Sequence, residues 1–288
     1  MTFGWISLTF DDALDEHLDH VLPLLNEYGL HGTFYAQLSS NCFIKRQSEW
    51  RQAALQGHEI GNHTVFHPAD ARKAWVRAGN AIDHYSLDRM RLELEFANNF
   101  LSAMDGHSLR TFAFPCSNSF VGSRGWIRRL LERSGLGQTR VAGWVDRARL
   151  DWGSTRTTYE PVVGELFAAG RGGGLIHGQP IPALSTWRRT HLPSVAVENW
   201  TFQDLKNHVT TAVDSDTWLI LQFHGVGGGH RMDCELNVFQ DFVAWLKSEH
   251  PDRVLSVVDG ATRIWPPITT EIARDSSIGH FAQDNSYD

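Results

Sequence analysis

The chain has 288 residues, 42% hydrophobic and 20% charged, an ordinary globular balance with enough length to bury a substantial core. A formal net charge of −7 argues against a broad nucleic-acid footprint, and no apolar run reaches membrane-spanning length. Three cysteines, Cys42, Cys116 and Cys234, make neither a disulfide framework nor a zinc knuckle.

Strand-like runs fall at 5–10, 32–36, 58–62, 111–114, 139–144, 192–197, 218–223 and 253–258. Amphipathic helical patterns lie between several of them, at 14–28, 49–56, 87–104, 123–134, 202–213 and 238–247. Gly29, Gly57, Gly106 and Gly135 stand where the first four should stop. Strands alternating with helices predict a parallel α/β architecture, an irregular (β/α)7-8 barrel in one domain over 1–275. Residues 276–288 read as a polar tail. An open doubly wound sheet is the alternative, but no glycine-rich dinucleotide fingerprint follows the first strand. The segment 145–191, rich in Gly and Arg, reads as a long excursion. No basic segment with an apolar core opens the chain, so the cytoplasm is the expected compartment unless a leader has been removed.

Parallel barrels gather functional groups at the C-terminal ends of their strands. Asp11 and Asp12 end the first strand, His63 and His67 follow the third, Pro115 and Cys116 follow the fourth, and His224 ends "LILQFHG". The spacing of His63 and His67 places both rings on one face of a helical turn, where two imidazoles and the carboxylate of Asp12 suit a divalent cation. Such a cation offsets the repulsion between the two aspartates, and leaves Asp11 to take a proton from the attacking water. His224 suits a general acid near neutral pH, with a satisfied core histidine as the rival reading. Asp15, Glu16 and His17 read as the start of a solvated helix. The eleven tryptophans are packing residues first, and some can lie against sugar rings.

In this order, "TFDD", "HTVFH", "FAFPCS" and "LILQFHG" resemble the polysaccharide deacetylases, the NodB-homology domain or carbohydrate esterase family four. The resemblance spans residues 4 to about 260. It implies an irregular barrel and metal-dependent removal of N- or O-acetyl groups from glycans. Carried over residue by residue, it makes Asp12, His63 and His67 the ligands of one divalent ion, usually zinc. Asp11 becomes the catalytic base and His224 the acid. The backbone N–H of Cys116, just after Pro115, becomes the oxyanion donor, and Thr64 the hydroxyl that braces the histidine loop. Two departures stand out. Many members carry an Arg where this chain has Ala113; Arg110 or Arg140 could replace it, or be ordinary surface residues. The family's Asp-Trp region, which tunes the acid histidine, is matched in letters by Asp151 and Trp152, with a plain loop as the rival. A carbohydrate substrate is implied, with an allantoinase-like amidohydrolase and a non-catalytic carbohydrate-binding barrel as alternatives.

Overall fold

The computed structural model describes residues 4–266 except 149 and 176, so the expected tail at 276–288 lies outside the described residues. Seven parallel strands form one sheet: β1 (Trp5–Asp11), β2 (Thr33–Ala36), β3 (Glu59–Asn62), β4 (Phe112–Ala113), β7 (Gly170–Arg171), β8 (Val195–Ala196) and β9 (Trp218–Phe223). Their spatial order is β7-β4-β3-β2-β1-β9-β8. The sheet curls until its edges meet. Parallel bridges join Arg171 to Leu192 and Leu175 to Val195, so β7 and β8 close the ring. Two short strand pairs lie outside it, antiparallel β5 (Phe120–Val121) with β6 (Thr157–Thr158), and β10 (Gly225–Val226) with β11 (Asp233–Cys234).

Period-two alternation explains the layering. Ile6, Leu8 and Phe10 of β1 pack outward in the main core, where the Phe10 ring stacks on Phe34 at 4.9 Å and Phe223 at 5.4 Å. Ser7, Thr9 and Asp11 take the other face, all buried, and Ser7 Oγ donates to the Leu255 carbonyl at 2.7 Å. The interior is filled rather than hollow. A Cβ on Gly61 would lie 2.5 Å from the Tyr35 ring, so β3 can pass that ring only with glycine there.

The outer layer contains α1 (Leu22–Glu27), α2 (Asn41–Lys45), α3 (Gln47–Leu55), α4 (Leu87–Asp105), α5 (Trp126–Arg133), α6 (Arg140–Arg147), α7 (Glu160–Leu166), α8 (Phe202–Asp214), α9 (Leu236–Glu249) and α10 (Val257–Ile264). Ser86 caps α4 by accepting from Arg89 N–H, and Gly106 ends it at φ 79°. Among the described residues no helix is long and apolar enough to cross a membrane.

Three expectations are corrected. The run 139–144 is not a strand, because residues 140–144 lie in helix α6: Ala142 and Val145, three apart, bury one face, and the β-branched residues mislead. The run 253–258 contributes only a bridge from Val254 to Ile6 before Ser256 caps α10. The excursion at 145–191 holds α7 and barrel strand β7, which two residues of sequence pattern cannot announce.

Candidate metal centre and active site

The strand ends converge as parallel barrels require. Asp12, His63 and His67 form a group whose ligand atoms lie within 4.8 Å of one another. Nε2 of each histidine is 3.5 Å from Asp12 Oδ1, which is buried and has no hydrogen-bond partner. His63 Nδ1 lies 2.8 Å from the Ala113 carbonyl, so it carries the proton and Nε2 is left with its lone pair. An orphaned carboxylate oxygen facing two imidazole nitrogens is a donor set that suits a divalent cation. The two histidines do not share a helical turn. Thr64 at φ 66° and His67 at φ 50° bend the loop back on itself, and Thr64 Oγ1 accepts from His67 N–H at 2.8 Å.

Backbone strain concentrates here. Six of the eight non-glycine residues with positive φ among those described are Asp12, Ala13, Thr64, His67, Cys116 and Ser117, all at these strand ends. Such conformations cost on the order of 1–3 kcal/mol each, which a fold retains where the geometry is used.

Asp11 is held differently from its neighbour. Arg171 Nη2 donates to both of its carboxylate oxygens at 2.7 and 2.6 Å, and Gln222 Nε2 adds a third bond at 3.0 Å. Ser194 Oγ accepts from Arg171 at 3.2 Å and donates to Gln222 Oε1 at 3.1 Å, which closes the network. Burial raises the Asp11 carboxyl, but Arg171, then His63 and His224, bring it below its ordinary value. Burial likewise opposes ionisation of Asp12, and the facing imidazoles, His63 first and then His67 and His224, bring its carboxyl below the ordinary value.

His224 Nε2 sits 3.8 Å from Asp11 Oδ2, and its ring stacks on His230 at 4.7 Å. Burial holds its imidazole below the ordinary value against the pull of Asp11 and Asp12. Burial also lowers His67, to about 4. These groups open into a cavity of about 890 Å³, also lined by Cys116, Ser117 and the exposed Trp75. Pro115 is buried directly behind Cys116. Burial pushes the Cys116 thiol up, which keeps it protonated.

Several sequence expectations find other roles. Arg110 is buried against Asp105, with bonds to the carbonyls of Ile60 and His107, and does not touch Asp11. Arg140 is exposed at the start of α6 and does not line the cavity. Asp151 accepts from the N–H groups of Gly125 and Arg128, so it secures the start of α5, while Trp152 is exposed. Neither lines the cavity or contacts His224. His17 is not solvated: it is fully buried, and its Nε2 lies 2.7 Å from the His224 carbonyl. The guanidinium beside Asp11 is that of Arg171, the cross-strand partner of Ala113. Gln222 carried a signal in the sequence, since it lies two residues before His224 and so on the same strand face. Arg171 carried none.

Residues 2–124 match the family described as polysaccharide deacetylase. The chain resembles that family. One curated relative, a gellan lyase from Bacillus sp, is 31% identical over 114 residues, 39% of this chain and 4% of the relative, so the chain spans only a small part of that protein. A structure from Mycobacterium smegmatis assigned to the polysaccharide deacetylases superposes with a TM-score of 0.54 at 12% identity, covering 90% of this chain and 89% of the other. The Xyl-CE4 domain of a xylanase from the hindgut metagenome of Trinervitermes trinervoides gives a TM-score of 0.49 at 14% identity, covering 90% and 89%. The superposition on the mycobacterial structure shows that the two chains share this barrel fold. The family resemblance rests on the matched segment, which contains Asp11, Asp12, His63, His67 and Cys116.

Proposed function

We propose that this chain is a metal-dependent hydrolase that removes acetyl groups from N- or O-acetylated carbohydrate. One observation carries the reading. An Asp–His–His donor set with an orphaned carboxylate oxygen stands beside a second carboxylate, Asp11, that Arg171 keeps ionised and turned toward the same cavity. A divalent cation held by Asp12, His63 and His67, zinc in the family's usual case, would polarise the acetyl carbonyl and lower the pKa of the nucleophilic water.

This chain's own residues do the rest. Asp11 accepts the proton of the attacking water, and Arg171 and Gln222 prevent it from turning away. The positive φ of Cys116 turns its backbone at the cavity wall, where its N–H serves as oxyanion donor. His224 protonates the leaving amine or alkoxide, and burial makes its imidazolium a stronger acid than an exposed one. His17 positions His224 by holding its carbonyl.

Acetate release from N-acetylglucosamine oligomers, peptidoglycan fragments and acetylated xylan is the direct test, on chelator-stripped protein with and without added zinc. Release restored by zinc supports the reading. Zinc binding with no acetate from any of these substrates counts against it, and ureide turnover without acetate would assign the site to the amidohydrolase alternative.

A further inference from the structure

A second cavity of about 570 Å³ adjoins the candidate active site and shares Lys73 and Cys116 with it. Its wall is basic. Six Lys or Arg side chains line it against three Asp or Glu, in a chain whose acids outnumber its bases by 33 to 26. Two of the acids are engaged internally, Asp70 with Arg72 at 2.5 Å, and Glu132 with Arg72 at 3.0 Å and Arg124 at 3.2 Å. The third, Asp83, accepts from Ala71 N–H. Among the described residues Lys73, Arg129 and Arg133 reach this cavity with no carboxylate at ion-pair distance. Arg129 and Arg133 lie four apart on α5, where like charges repel. Arginines kept together, unpaired and facing a concavity focus positive potential, and their planar forks match carboxylate and phosphate oxygens.

We propose that this basin binds an oxyanion of the substrate, so that the deacetylated glycan is acidic, with a carboxylate or phosphate on a sugar next to the acetylated one. The inference rests on the deacetylase reading for what happens at the acetyl group, and on the basin alone for the charge preference.

Matched acetylated oligosaccharides, neutral, uronate-bearing and phosphate-bearing, are compared by acetate release and by calorimetry. The proteins are wild type, R129Q/R133Q, R129K/R133K and R51Q, the last altering an exposed arginine of α3 that lines neither cavity. Wild type should favour a charged oligomer by about tenfold in kcat/KM, the equivalent of one charge-assisted contact. That ratio should fall toward one in R129Q/R133Q and in high salt, and persist in the lysine and R51Q variants. Preference for either oxyanion supports the proposal and identifies its source. Equal binding of neutral and charged oligomers by wild type overturns it whatever the acetate result, as does an equal loss in R51Q. Charge-selective binding that needs Arg129 and Arg133, with no acetate released, sinks the deacetylase reading and leaves the basin standing.

Discussion

Two carboxylates are buried in one barrel interior, Asp11 at the end of β1 and Glu59 at the start of β3. Glu59 lies at the opposite, N-terminal end of the strands. Its oxygens accept from Thr33 Oγ1, Thr111 N–H and Oγ1, and Val258 N–H, all neutral donors, at 2.6 to 2.9 Å. Burial raises Glu59 above its ordinary value despite those bonds, whereas Asp11, equally buried, is lowered because one of its partners is a guanidinium. The number of hydrogen bonds does not separate the two. The charge of the donor does, and it keeps one carboxylate ionised while the other ties β2, β4 and α10 together beneath the barrel.

Four substitutions can break or sharpen this contrast. D11N should lower kcat by about a thousandfold, within the range of general-base catalysis, with bound metal unchanged by elemental analysis. Near-wild-type turnover in that variant would remove Asp11 from the mechanism. R171M leaves a buried carboxylate without its cation and should cost about 3–5 kcal/mol in urea denaturation, with activity lost as well. If R171M is as stable as wild type, the ion pair does not hold Asp11.

E59Q keeps the shape but loses acceptor capacity, so it should cost about 1–3 kcal/mol with kcat intact. Its pH dependence gives a sharper signature. A carboxyl whose folded value lies above the ordinary 4.5 contributes stability that is complete below 4.5 and lost as pH rises through the folded value. The deficit of E59Q against wild type should therefore be largest in acid and shrink toward neutrality. A deficit that grows with pH would show Glu59 to be ionised and paired like Asp11. The smallest effect is expected of Q222M, which removes one bond to Asp11 and should reduce kcat by about three- to tenfold, the worth of a single hydrogen bond.

The legible parts were those with a local cause. Strand alternation and the residues that end each strand follow from period two, so Asp11, Asp12, His63, His67, Cys116 and His224 could all be placed at one end of the barrel before any contact was known. Helical periodicity and a stopping Gly marked α4 almost to the residue. Local signals misled where they were ambiguous. β-branched residues disguised α6, and the letters of Asp151-Trp152 resembled a functional motif although Asp151 secures a helix start. His17 looked solvated from its acidic neighbours, yet the fold buries it completely.

From the sequence alone came the barrel, the carboxylate pair and the histidines, because strand and helix periods and the residues at strand ends are properties of short segments. Which arginine stands beside Asp11 was decided only by the tertiary structure. Arg171 lies 160 residues away on a two-residue strand, and it reaches Asp11 because β7 pairs with β4 on one side and meets the edge at β8 on the other, which carries its guanidinium into the barrel interior. The ionisation of Asp11 beside Asp12, and the opposite fate of Glu59, come from such distant partners, since the charge of a buried neighbour is a property of packing and not of any stretch of chain.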